Sequence, residues 1–140
     1  MKSIVAMSLV VAFACLSFGA AVAAEQSASI QWQTDLEQAV TNARETKKPL
    51  LIQLTATWCG YCKKMQRETN EDKEVVQAVN ECFVPIMLDA DANPEVMKLL
   101  KVEGLPTTVV VDTETREASS FRGFRTAKQL RSDLKPFCKK

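Results

Sequence analysis

The stretch that decides the fold is TATWCGYCKKM at residues 55–65, in which two residues separate Cys59 from Cys62. It overlaps LLIQLTA, residues 50–56, an apolar run of strand length that suits the middle of a buried sheet. The residues after Trp58 are good helix formers, so a helix is expected to begin at the cysteine pair. Two thiols at a strand-to-helix junction are compatible with a structural bridge, a metal-ligand pair or a reactive dithiol.

The composition is that of one globular domain. The chain has 140 residues, of which 46% are hydrophobic and 25% charged. Eighteen basic residues stand against 17 acidic ones, so no basic surplus indicates nucleic acid and no acidic block indicates a disordered tail. We expect a monomer that binds neither nucleic acid nor a cofactor.

The first 24 residues have the pattern of a secretory signal peptide. Lys2 gives a positive start, an apolar run follows from Ile4 to Phe18, and small residues end it. The small residues place the expected cleavage site after Ala24 or one residue earlier. Cleavage is favoured over a retained membrane anchor because the apolar run is shorter than the about 20 residues that cross a bilayer. Cys15 would be removed with this peptide. The remaining chain is expected to be periplasmic or secreted, where disulfides persist.

Helices before and after the cysteine motif are indicated by caps and apolar spacing. Thr34 with Glu37 forms a capping box, which predicts a helix over about 35–46. After the motif, polar residues interrupt the helical stretch, and Asp72 is expected to cap a second piece.

The second half of the chain alternates strands with helices. Residues 83–91 predict a strand in which Pro85 indicates a position beside an edge or bulge. A hairpin is expected from Thr107–Asp112 and about Glu117–Arg122. The intervening helix is expected to begin with Asn93 and Pro94, and a final helix carries a Thr-x-x-Gln capping box. Their expected apolar residues are Val96, Leu99, Leu100, Leu130 and Leu134.

This order resembles the thioredoxin fold. The segments WCGYCKKM, DADANPEV and GLPTTVVVD and the glycine of FRGF follow one another as in that family, over about residues 31–135. The chain resembles secreted thioredoxin-like proteins that are similar to the periplasmic thioredoxin-like domain of DsbD-type disulfide reductases. The resemblance implies an α/β thioredoxin fold over residues 25–140, with a central mixed β-sheet flanked by helices on both faces.

Cys59 and Cys62 are the predicted catalytic residues. A sulfur at the start of a helix lies beside unsatisfied backbone N–H groups and the positive end of the helix dipole, which lower the pKa of the Cys59 thiol. Cys62, one turn further in, is placed to attack a mixed disulfide formed by Cys59. We therefore expect Cys59 to attack and Cys62 to resolve.

The resemblance also implies a surface for substrate. Pro106 would follow a cis peptide bond opposite the thiols and leave the backbone of Leu105 open to an extended substrate segment. Trp58 would cover one side of the site, and Gly60 and Tyr61 would tune the relative stability of dithiol and disulfide. The alternatives are core packing for Trp58 and an ordinary trans turn for Pro106.

One position departs from the family. An aspartate is often buried six residues before the first cysteine, where it helps to move the proton of the resolving thiol, but here that position is Gln53. A glutamine cannot take the proton. Deprotonation of Cys62 would then depend on water, on Lys63 or on the thiolate that leaves the substrate.

Cys82 and Cys138 are candidates for a second bridge. In the thioredoxin arrangement both fall at the end of the sheet remote from the active site and on the same side. With export and an even cysteine count, we hypothesise a structural disulfide. The alternative is two separate thiols that pack as small hydrophobic side chains.

The predicted function is an exported thiol–disulfide oxidoreductase that acts as a reductase on protein thiols and disulfides, with a membrane electron donor as a further candidate partner. One alternative is a disulfide oxidase or isomerase. A second is a copper or zinc protein, although the chain has no histidine and no second C-x-x-C to complete a zinc site. A third is a binding module that kept the fold without its chemistry.

Overall fold

The computed structural model describes residues 29–138; the predicted signal peptide and Cys15 lie outside them. The elements are α1 (Leu36–Thr46), β1 (Leu50–Thr55), α2 (Gly60–Glu68), α3 (Lys73–Cys82), β2 (Val84–Asp89), α4 (Pro94–Leu99), β3 (Thr107–Val111), β4 (Ala118–Arg122) and α5 (Ala127–Leu134), followed by a 3₁₀ turn at Lys135–Phe137.

The sheet has the strand order β2-β1-β3-β4. β1 pairs in parallel with β2 and antiparallel with β3, and β3 pairs antiparallel with β4. The central strand β1 has no polar face because both sides of it are covered, which explains its nearly continuous apolar sequence. The structure confirms the predicted mixed sheet and the thioredoxin fold class.

Alternate side chains of the sheet pack into two cores. On one face, Leu51 and Val110 pack with residues of α2, α3 and α5. On the other face, Ile52 and Leu54 pack with α1, and α4 lies against the same cluster. The prediction of helices on both faces is therefore confirmed. No helix within residues 29–138 is both long and apolar enough to cross a bilayer.

Pro85 lies on the edge strand β2, as its sequence position predicted. Its carbonyl accepts a hydrogen bond of 2.9 Å from the backbone N–H of Gln33, on the side away from β1. The nitrogen of a strand residue faces the same side as its carbonyl in a parallel pairing, so the missing N–H of proline costs β2 no hydrogen bond to β1.

One prediction about a helix start was wrong, and a second was right in position only. Asp35, not Thr34, is the N-cap of α1, and its carboxylate accepts a hydrogen bond of 2.8 Å from Gln38 N. Asn93 does hold the N-cap position of α4, but its side chain donates to Asp89 O instead of capping. The capping box of Thr126 and Gln129 at α5 is present as predicted.

The apolar face of α4 also differs from the prediction. Val96 and Leu100 pack against the core, but Leu99 is 79% exposed and Met97 packs in its place. At 100° per residue, Val96, Leu100 and Met97 form one stripe, whereas Leu99 lies to the side of it.

The register brings one end of each of the four strands together at the same end of the sheet. Thr55 pairs with Asp89, Leu54 with Thr107, and Thr107 with Arg122. The chain leaves β1 at this end of the sheet and enters the cysteine motif directly. Segments that follow β2, precede β3 and follow β4 therefore lie at the same end of the sheet as that motif.

Candidate redox site

Cys59 is the N-cap of α2. Its backbone is extended, with φ −83° and ψ 103°, and its sulfur accepts a hydrogen bond of 3.2 Å from the backbone N–H of Cys62. The sulfur thus occupies the place where the side-chain oxygen of a serine or aspartate caps other helices. This is the position at the helix start that the sequence predicted for Cys59.

Cys59 and Cys62 form a disulfide with their Cα atoms 5.3 Å apart. Cys59 is 5% exposed and Cys62 2%, and both pack with Ala56 and the half-buried Leu105 in a small cluster of their own. The structure is therefore that of the oxidised protein. Of the two sulfur-bearing residues, Cys62 lies deeper, as predicted for the second cysteine.

The segment before β3 lies against this disulfide. The Leu105–Pro106 peptide bond is cis, and Pro106 O accepts a hydrogen bond of 2.7 Å from Gly123 N. Thr107 Oγ1 donates a second bond of 2.7 Å to Gly104 O. The cis bond agrees with the resemblance, and these two hydrogen bonds fix the loop on both sides of it.

Two aromatic side chains stand exposed beside the disulfide. Trp58 is 68% exposed and Tyr61 66%. The indole Nε1–H of Trp58 donates a hydrogen bond of 2.8 Å to Asp91 Oδ2 in the loop after β2. Core packing is therefore the wrong interpretation of Trp58. Gly60 is exposed and a β-carbon there would meet no atom within 4 Å, so space does not demand glycine at this position.

The buried Gln53 has a partner that the sequence did not reveal. Asn70, just beyond the end of α2, donates a hydrogen bond of 2.6 Å from Nδ2 to Gln53 Oε1. Gln53 is 3% exposed and Asn70 7%. A glutamine in an apolar strand was the available signal, since a buried amide needs a hydrogen-bonding partner.

Within residues 29–138 no three His, Cys, Asp or Glu side chains are grouped so that they would hold a metal ion. Cys59 and Cys62 supply two sulfur atoms, whereas a structural zinc site takes four protein ligands.

Cys82 and Cys138 lie apart from this site. They form a disulfide with Cα atoms 5.1 Å apart, joining the end of α3 to the turn after α5. Both line a groove of ≈ 580 Å³ between α3 and α5, to which none of the residues around Cys59 contributes.

Residues 31–113 match the family described as Thioredoxin-like. The chain belongs to this thioredoxin-like family. It is 32% identical over 99 residues to the thiol:disulfide interchange protein DsbD of Pectobacterium atrosepticum, covering 66% of this chain and 17% of that protein. For DsbD of Cronobacter sakazakii the identity is 32% over 129 residues, covering 84% and 22%. The chain spans about a fifth of the length of these relatives.

Solved structures agree with this assignment. The reduced DsbD C-terminal domain of Neisseria meningitidis is 31% identical with a TM-score of 0.61, covering 73% of this chain and 93% of that domain. A thioredoxin from Thermus thermophilus, at 20% identity, superposes with a TM-score of 0.70 over 79% of this chain and 88% of its own. That second similarity supports the fold alone.

Proposed function

We propose that this protein is an exported thiol–disulfide oxidoreductase that reduces disulfides of other proteins. The observation that carries the proposal is the Cys59–Cys62 disulfide at the start of α2, with the Cys59 sulfur held on the backbone N–H of Cys62. The DsbD relatives are named as thiol:disulfide interchange proteins, and this name describes the same reaction.

The reaction begins with the reduced protein. The Cys59 thiolate attacks a substrate disulfide, forms a mixed disulfide and releases one substrate sulfur as a thiolate that takes up a proton. Cys62 loses its proton and attacks Cys59 in the mixed disulfide, so that the second substrate sulfur leaves as a thiol. The substrate gains two electrons and two protons, and the protein ends as the Cys59–Cys62 disulfide.

The surroundings suit a protein substrate. Leu105, which precedes the cis bond to Pro106, packs against the disulfide, and we assign its backbone to pairing with an extended substrate segment. Trp58 and Tyr61, both exposed, supply apolar contact area for the partner. Gly60 and Tyr61 separate the two cysteines without a histidine that would stabilise a thiolate, which favours the reducing or middle part of the family's potential range, about −270 to −120 mV.

The signal-peptide pattern in the sequence supports the proposal that the protein is exported. The pattern of residues 1–24 is that of a signal peptide, so we place the working protein in the periplasm or outside the cell, after cleavage near Ala24. In that compartment an electron donor must reduce the Cys59–Cys62 disulfide after each turnover. A membrane protein that carries electrons outward is the class of donor that this location requires.

An insulin-reduction assay with dithiothreitol as electron source tests the activity. We expect turnover by the wild-type protein and none above background for Cys59→Ser. The matched control is Cys82→Ala with Cys138→Ala, which removes two cysteines away from the site and is expected to keep the activity. Equal rates for wild type and Cys59→Ser would reject an oxidoreductase role.

A second variant tests the division of labour and identifies partners. Cys62→Ser lacks the resolving thiol, so its mixed disulfides with natural substrates are expected to accumulate and to be released by reductant. The direction of electron flow follows from equilibrating the wild-type pair against glutathione buffers. A potential near that of strong oxidants, about −120 mV, would replace reduction by oxidation as the role.

A further inference from the structure

We infer that Arg122 selects partner segments that carry an acidic side chain close to the reactive cysteine. The inference rests on the proposed oxidoreductase function and names the substrate chemistry of the same site. It stands on the placement of a guanidinium group beside the segment that we assign to substrate pairing.

Arg122 lies directly on the backbone that precedes Leu105. A β-carbon on Gly104 would stand 2.8 Å from Arg122 Nε and 2.9 Å from its Nη2, closer than such atoms approach. Glycine at 104 therefore gives the guanidinium room to lie against the chain. Leu105, the next residue, packs on Cys59 and Cys62. The glycine that the guanidinium lies against is therefore adjacent in sequence to the residue that contacts the disulfide.

The rest of the loop holds this arrangement in place. Arg122 is paired in register with Thr107, and its neighbour Gly123 donates a hydrogen bond of 2.7 Å to Pro106 O. The end of β4 is thus fastened to the cis-proline segment by backbone contacts. The position of the Arg122 α-carbon relative to Leu105 does not depend on its own side chain.

The charge of Arg122 is available to a partner. Its side chain is 66% exposed, and its ion-pair partner Glu103 is 84% exposed with 3.9 Å between Nη1 and Oε2. A pair this long and this exposed contributes little, so a substrate carboxylate can compete with Glu103 for the guanidinium. Arginine also presents several N–H donors in the planar geometry that carboxylates match.

A carboxylate lies on the opposite side of the site. Asp91, in the loop after β2, holds the indole of Trp58. β2 and β4 are the two edges of the sheet, so at about 4.8 Å per strand they lie roughly 14 Å apart, with the cysteine motif that follows β1 between them. An acidic residue of an extended partner is therefore favoured at the Arg122 side and disfavoured at the Asp91 side.

Three peptides test the inference. They are identical except for Glu, Gln or Lys two residues from a single cysteine, and two residues of extended chain span about 7 Å. Each cysteine is held as a mixed disulfide with 2-mercaptoethanol. One equivalent of reduced protein converts this disulfide to the peptide thiol and 2-mercaptoethanol, while Cys59 and Cys62 become a disulfide. The single-turnover rate is followed by acid quench and mass spectrometry.

For the wild-type protein we expect the Glu peptide to react about two- to fivefold faster than the Lys peptide, as an exposed ion pair allows. Arg122→Gln should remove the preference and Arg122→Glu should invert it. Glu103→Gln should enlarge it, because the competing carboxylate is gone. Arg44→Gln, an exposed arginine on α1, should leave it unchanged, and about 1 M salt should abolish it.

The two proposals fail in different ways. If wild type reduces none of the peptides, the oxidoreductase function itself is rejected. If it reduces all three at one rate, or if Arg122→Gln and Arg122→Glu keep the wild-type order of rates, the function stands and the role of Arg122 is rejected.

Discussion

The side-chain amides of Gln53 and Asn70 are hydrogen-bond partners in the interior of the domain. Asn70 Nδ2 donates to Gln53 Oε1 over 2.6 Å, and Gln53 Nε2 lies 3.5 Å from Asn70 Oδ1. The pair links the middle of β1 to the second residue after α2, and it carries no charge. A strand position that is often ionisable in this family is therefore neutral here and satisfied by a neutral partner.

Replacing Gln53 by leucine should lower the free energy of unfolding by about 1–3 kcal/mol, because Asn70 is then buried without its partner. Urea unfolding of the oxidised protein measures the change. Gln38→Leu, on the exposed side of α1, is the control and is expected to stay within about 0.5 kcal/mol of wild type. In Gln53→Leu with Asn70→Leu, part of the loss should return; a double variant as unstable as the sum of both single changes would contradict coupling.

The parts of the fold that the sequence predicted are those that local interactions decide. Cys59 caps α2 because a strand runs into a helix within a few residues, and Thr126 caps α5 through a partner only three residues away. The structure has Asp35 and not Thr34 as the N-cap of α1. Both residue types are suitable caps, so the sequence alone did not decide between these two neighbours. Such a choice depends on where the chain turns, which packing against the sheet decides.

Contacts between distant segments were not predictable. Asn70 reaches Gln53 from 17 residues away, and Arg122 lies on Gly104 only because β3 and β4 pair in one register. Neither contact has a periodicity or spacing that marks it in a single sequence. The sequence therefore predicted the two cysteines and the cis proline of the candidate site. The Gln53–Asn70 pair and the position of Arg122 could be identified only from the folded structure.

Two neighbouring threonines of β3 should respond oppositely to replacement by valine. Both are 1% exposed, but Thr107 Oγ1 donates to Gly104 O, whereas Thr108 Oγ1 has no hydrogen-bond partner within residues 29–138. Thr108→Val removes an unsatisfied hydroxyl and should raise the free energy of unfolding by about 1 kcal/mol, while Thr107→Val should lower it by a similar amount. Urea unfolding of both variants checks this, and a loss at Thr108 equal to that at Thr107 would contradict it.

In the reduced protein, Cys59 should ionise at lower pH than an ordinary cysteine, whose pKa is about 8.5. The N–H of Cys62 and the start of α2 favour the thiolate. The pH dependence of iodoacetamide alkylation of Cys62→Ser measures the midpoint. Because the folded pKa is the lower one, this group stabilises the folded protein fully above about pH 8.5, and the contribution is lost as pH falls through the folded pKa. A midpoint at or above about 8.5 would contradict the assignment.

The Cys82–Cys138 bridge should act on stability and leave the redox reaction unchanged. It joins residues 56 apart in sequence, whereas the Cys59–Cys62 bridge joins residues 3 apart. Because a longer closed loop restricts the unfolded chain more, Cys82→Ala with Cys138→Ala should cost roughly 2–4 kcal/mol, and Cys59→Ser with Cys62→Ser should cost less.

Urea unfolding without reductant measures both variants, and insulin reduction shows whether the first keeps its activity. Retained activity with lowered stability fits a structural bridge between α3 and the turn after α5, because the bridge then holds the helices and takes no part in electron transfer. Mass mapping of the non-reduced exported protein provides the separate check. Free thiols at Cys82 and Cys138, or an unfolding free energy equal to that of wild type, would overturn the structural role.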